Sequence, residues 1–195
     1  MSINQYRKGL RSATRGLWNG SLDRRQFRSA MNGVIDRRLF QAWLEGAAEC
    51  GIDAADLTVD EQADLAKAIR EEQSNVPAFA DRIQENSKVN KGKLIPLLDR
   101  INNLWVNRYR DLRNQAKTIA CKDKKFIWKL GATEVHCSTC PKLDGKVKRG
   151  SVWTKAGIRP QNPPNSAIEC GGWNCLCELL PTNKPVSKGP LPRFR

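Results

Sequence analysis

Five of the seven cysteines in this 195-residue chain fall between residues 137 and 177. Cys137 and Cys140 form a Cys-x2-Cys pair, a spacing that fits one tight turn and sets two thiolates on one metal ion. Cys170, Cys175 and Cys177 follow after 29 intervening residues. A structural zinc site takes four ligands in a tetrahedron, often thiolates supplied as two local pairs. Five thiols therefore compete for four places. On an extended segment Cys175 and Cys177 share a face, with Leu176 opposite. Gly171-Gly172 lets the chain bend so that Cys170 returns toward the metal. The favoured set is Cys137, Cys140, Cys170 and Cys175, with Cys177 as the substitute. The single histidine, His136, adjoins Cys137 and points away from the metal where that segment is extended.

A metal has a physical reason to be here. Residues 125–181 carry few apolar side chains for an independent core, and small modules of that kind need a staple. Structural zinc contributes about 10–16 kcal/mol of apparent folding energy in such peptides. An odd number of cysteines, five of them clustered and Cys50 and Cys121 standing alone in the sequence, fits a reducing compartment and a metal site better than paired bridges. Catalysis is not expected. The sequence has no HExxH motif and no Gly-rich phosphate loop. The acids near the cysteines are Glu134, Asp144, Glu169 and Glu178, and Asp144 in Leu-Asp-Gly suits a turn.

Charge points to the partner. Against 34 Lys+Arg stand 20 Asp+Glu, a net +14. The excess is patterned, with basic blocks at 1–45 and 87–195 around an acidic block at 46–86. Such a distribution suits a polyanion or a charge-matched protein neighbour. Arg108, Arg110, Arg113, Lys122, Lys124 and Lys125 are the expected nucleic-acid or partner contacts. No run approaches the ~18 apolar residues of a membrane span, and the N-terminus has charge but no apolar core, so a soluble protein with no secretory signal and no membrane partner is expected.

The elements that must position these groups are mainly helical. Ser2 with Gln5 forms a plausible capping box, followed by Ile3, Tyr6, Leu10 and Leu17 at helical spacing, with a break near Gly20. Asp23 with Gln26 offers a second start, and Phe27, Met31, Val34, Ile35, Leu39, Trp43 and Leu44 sustain a 3-and-4 pattern up to Gly51. Thr58-Val-Asp-Glu61 is a third capping box, and Pro77 restarts or kinks its helix. After a polar connector at 86–93, Leu94, Leu97, Ile101, Leu104, Trp105, Leu112 and Ile119 mark one long amphipathic helix. Trp18, Trp43 and Trp105 suit helix packing or an interface. Near residue 122 helical periodicity disappears, and Phe126-Ile127-Trp128 reads as a strand. The expected organisation is a helical docking region over 1–124, a β-containing, zinc-stapled module over 125–181, and an extended basic Pro-rich tail over 182–195 that orders against a partner.

The ordered set Trp128, Cys137-x2-Cys140-Pro141, Leu143-Asp144-Gly145, Pro163-Pro164 and Gly172-Trp173-Asn174-Cys175-Leu176-Cys177 resembles the C-terminal module of the Mu F-like minor head proteins, the tailed-phage head morphogenesis family. Leu176 stands where that family usually has Arg, and Cys170 takes the place of a His or Cys. The resemblance covers residues 125–181. It implies a minor structural protein of a phage head, made in the host cytoplasm and located in the virion at the portal vertex. Its implied partners are the portal protein, the major capsid protein and packaged DNA, and its implied work is head assembly and DNA packaging or delivery. No small-molecule substrate is implied. The alternative is a free nucleic-acid-binding zinc protein. A metal-dependent nuclease is a third reading, resting on Asp144.

Overall fold

The computed structural model describes residues 3–132, 135–161, 165–173 and 175–192. The Ser2 cap, Glu134, Pro163-Pro164, Asn174 and residues 193–195 lie outside the described residues. The chain is mainly helical with one small sheet. It forms two compact units: Met1–Gln41 with Gln62–Tyr109, and Ala42–Glu61 with Arg110–Arg195. The cysteine-rich module thus shares its unit with helical segments from earlier in the chain.

Local sequence sets the helix starts. Helix α1 (Ile3–Asn19) ends beside Gly20, whose φ is +82°. Helix α2 (Arg24–Ala48) begins with a reciprocal box, Asp23 N–H donating to Gln26 Oε1 (2.9 Å) and Gln26 N–H to Asp23 Oδ1 (2.7 Å). Helix α3 (Val59–Ser74) begins with the same device, Thr58 N–H to Glu61 Oε2 (3.0 Å) and Glu61 N–H to Thr58 Oγ1 (3.3 Å). Each box satisfies two backbone donors that the first helical turn leaves without partners. Pro77 does restart the helix, as α4 (Val76–Glu85).

The long helix expected from residue 94 is helical to Ala120 but not uniform. It runs as α5 (Ile95–Ile101), a π turn over Asn102–Val106, and α6 (Asn107–Ala120). The wider turn carries Trp105, buried to 1 % exposure with its ring 4.9 Å from that of Phe79. In the first unit Tyr6, Leu10, Phe27, Met31, Ile35, Leu39 and Ile83 complete an apolar core. Trp43 is also fully buried, whereas Trp18 is half-buried.

In the second unit strand β1 (Lys125–Lys129) is central. It pairs antiparallel with β2 (Val147–Arg149) and β3 (Glu178–Pro181), in the order β2-β1-β3. Two short helices, α7 (Thr139–Leu143) and α8 (Gly150–Ala156), occupy the stretch where helical periodicity was expected to vanish. They are too short to show a repeating stripe.

Two further expectations are corrected. The module is not coreless: Phe126, Trp128, Leu143, Trp153, Ile158, Ile168 and Leu179 form one buried cluster with Cys121, Cys140, Cys175 and Cys177. Helix α8 alone contributes Trp153, which stacks 5.9 Å from Trp128. The tail, described to residue 192, orders against its own chain. Ser187 N–H donates to Val147 O (2.9 Å), Lys148 Nζ reaches Ser187 O (2.6 Å), and Leu191 packs on the buried cluster.

Candidate metal centre

The Cys-x2-Cys pair sits at the entry to α7, whose first turn carries Cys140 inward. The N–H of Cys140 donates to the carbonyl of Cys137 (3.3 Å), closing the knuckle, and the two sulfurs lie 3.3 Å apart. On the far stretch Cys175 and Cys177 are buried while Leu176 is 37 % exposed, the alternation expected of an extended segment. Cys170 is half-buried, and Gly171 and Gly172 both adopt positive φ, +60° and +82°, where the chain doubles back. These turns need glycine because L side chains clash in that conformation.

The structure brings the five predicted thiols into two groups rather than one, and the favoured set of Cys137, Cys140, Cys170 and Cys175 is not itself one of them. They form two overlapping groups, Cys137, Cys140 and Cys170, and Cys140, Cys175 and Cys177, with the sulfurs of each group within 4.8 Å of one another. Cys140 belongs to both. Either group can hold a metal ion, and soft thiolates suit a transition metal far better than a hard cation. His136 is in neither group. Among the described residues no carboxylate joins them.

The surroundings do not act on the five thiols alike: Cys137 and Cys177 are lowered, whereas Cys140, Cys170 and Cys175 are raised. The Cys177 thiol is drawn down to about 2 by hydrogen bonds from Cys140 and Cys175, helped by the Gly131 N–H and Trp128. Its neighbour Cys140 is pushed well above the usual thiol range by hydrogen bonding to Cys175 and Cys177 and by burial. The buried Trp128 Nε1 lies near the Cys177 sulfur and has no hydrogen-bond partner among the described residues. Donors to coordinating sulfur are the usual outer support of such a centre.

Residues that sequence reasoning passed over hold the two cysteine stretches in place. Ser138 N–H donates to Glu169 Oε2 (2.5 Å), and Glu169 N–H donates to Thr139 Oγ1 (3.0 Å), clasping the knuckle to the Cys170 turn. That bonding to Ser138 lowers the Glu169 carboxyl below its ordinary range. Gln161, 1 % exposed, donates to the Cys177 carbonyl and accepts from Asn114 Nδ2 (3.0 Å). Lys117 reaches the Leu179 carbonyl (3.1 Å) and Glu49 (2.8 Å). Gly131 must lack a Cβ, which would lie 2.2 Å from the Leu176 carbonyl oxygen. Asp144 has the turn role: its Oδ1 accepts Leu130 N–H (3.1 Å) while Gly145 takes φ +74°.

Outside the cluster, Cys50 and Cys121 do not stand alone. They pair as a disulfide, with Cα atoms 5.6 Å apart across 71 residues of sequence.

The expected contact bases divide. In the first unit Arg108 has only 11 % of its side chain exposed and pairs with Glu71 and Glu72, each at 3.3 Å. In the second, Arg113 pairs with Glu49 (2.9 Å), and Lys125 donates to the Asn183 carbonyl (2.8 Å). Arg110 is half-buried; Lys122 and Lys124 are exposed. Arg108 is thus both buried and ion-paired, whereas Arg113 is ion-paired at the surface. No helix is long and apolar enough to cross a membrane among the described residues.

Compared with protein-family models, curated proteins and solved structures, the chain matches none.

Proposed function

We propose that this chain is a minor structural protein of a tailed-phage head, similar to the Mu F-like family. In this reading it acts without catalysis at the portal vertex, in head assembly and DNA packaging or delivery, with the portal or major capsid protein as partner. The observation that carries the reading is the convergence of Cys137, Cys140, Cys170, Cys175 and Cys177, since the residues quoted for the family resemblance are those that build this centre. The metal is zinc in a structural role. Four of the five cysteines would hold it, since structural zinc takes four ligands. Zinc supplies electrostatic and geometric closure between α7 and the segment entering β3. Supporting this are the Asp144 turn and the absence of any carboxylate from the two cysteine groups among the described residues.

Two measurements test the proposal. The purified full-length chain is expected to carry one zinc per molecule by elemental analysis. In a lysate of the phage that encodes it, the chain is expected to sediment with DNA-filled heads on a density gradient. A chain found only at the top of the gradient, absent from heads and procapsids, removes the head role. Sequence-selective enrichment of one DNA motif by the free chain favours a nucleic-acid-binding zinc protein instead.

A further inference from the structure

We infer that the outward face of α1 is a binding surface for the phosphate backbone of duplex DNA, formed by Arg7, Lys8, Arg11 and Arg15. This deepens the DNA-facing part of the proposed function and rests on it. Residues 1–22 contain those four bases and no acid. Tyr6, Leu10, Ala13 and Leu17 bury the opposite face of the helix, so packing fixes which way the bases point. Arg7, Arg11 and Arg15 recur every four residues, and each step advances about 6 Å along the axis. Together with Asn4, Lys8 and Ser12 they line a groove of about 430 Å³ that is built from this one helix.

On this face the charge is unspent, with Lys8 and Arg15 exposed and Arg7 and Arg11 half-buried. Among the described residues no carboxylate pairs with Arg7, Lys8, Arg11 or Arg15, and the one side-chain contact is Arg7 Nη1 to Asn4 Oδ1 (3.2 Å). Arg108 and Arg113 on α6, by contrast, are paired with glutamates. Three of the four bases are arginines, whose planar forks match phosphate oxygens in bidentate fashion. A phosphate-only surface reads no sequence, which suits a protein that meets whatever DNA is packaged.

The test is binding of the full-length, metal-loaded chain to a fluorescent 20-base-pair duplex of mixed sequence across a salt series. Each phosphate contact contributes a slope of about 0.9 in log K against log salt. Replacing the four bases (R7Q, K8Q, R11Q, R15Q) is therefore expected to lower the slope by about three to four. Between about 50 and 200 mM salt the parent then loses roughly two orders of magnitude more affinity than the variant. Single variants R11Q and R15Q, each expected to lower the slope by about one, serve if the fourfold change disturbs folding. Replacing Lys122 and Lys124 by glutamine is expected to change the slope less. An unchanged slope in the α1 variants overturns the inference. So does displacement of the duplex by poly-glutamate at equal charge concentration, which would mark the face as a site for an acidic protein. Neither result bears on whether the chain sediments with heads, so the two readings fail separately.

Discussion

The two units solve the stability problem with different materials. The first is held by apolar packing between helices, with the rings of Phe27, Phe79 and Trp105 in tilted contact one after another. The second mixes an apolar cluster with five free thiols, a disulfide and a set of buried hydrogen bonds that run through Lys117, Asn114 and Gln161. Apolar packing is non-directional and tolerates repacking. Sulfur ligation and buried polar bonds are directional, and losing one partner leaves the other unsatisfied at full cost. Helices packed on one another can live with the first kind. A centre that fixes backbone geometry to a fraction of an ångström needs the second.

The contrast can be broken most forcefully at Cys140, the thiol shared by both groups. Cys140→Ser is expected to release the metal and unfold the second unit, removing most of the ~10–16 kcal/mol that structural zinc supplies. Elemental analysis with tryptophan fluorescence reads this, the helical signal of the first unit persisting. Retained metal and unchanged folding would show that Cys140 is not a ligand. The matching change in the first unit is Trp105→Ala, expected to cost up to about 5 kcal/mol in denaturant unfolding without loss of metal. Loss of metal in that variant would mean the two regions do not stand apart.

Cys50→Ser sharpens the comparison within the second unit. Closing a loop of this length is worth about 4 kcal/mol in the chain-entropy account, so the variant should melt like the reduced parent and below the oxidised one. Equal melting of oxidised and reduced parent would remove the disulfide from the account. Gln161→Ala, the smallest of the four, should cost about 1–3 kcal/mol by stranding Asn114 and the Cys177 carbonyl. If Gln161→Met is as stable as the parent, the buried network carries shape rather than hydrogen-bond energy.

Much of the helical part was legible in the residues because its signals are local. The Asp23/Gln26 and Thr58/Glu61 boxes join positions three apart, and the side chains that define each start bond as the sequence predicts. The alternation of Cys175, Leu176 and Cys177 was legible for the same reason. The helices α7 and α8 were not, since five and seven residues cannot display a period. Nor was the apolar cluster around the thiols, because Phe126, Trp153, Ile158 and Ile168 are scattered and only the fold collects them. Gln161 carries no motif; its importance comes from a left-handed backbone (φ +56°) buried against two partners.

The amino-acid sequence by itself determined where helices start, which faces are apolar, and that a group of soft ligands would be available for a metal. Those properties follow from residue chemistry and from spacings of three or four. The tertiary structure decided that Cys140 is common to both sulfur groups, that Cys50 meets Cys121, and that Arg108 and Arg113 of α6 pair with glutamates while the bases of α1 meet no carboxylate among the described residues. Each of these depends on which distant side chain arrives within a few ångströms. Coulomb and hydrogen-bond energies fall off over that distance, so charge becomes function only after packing has chosen its neighbours.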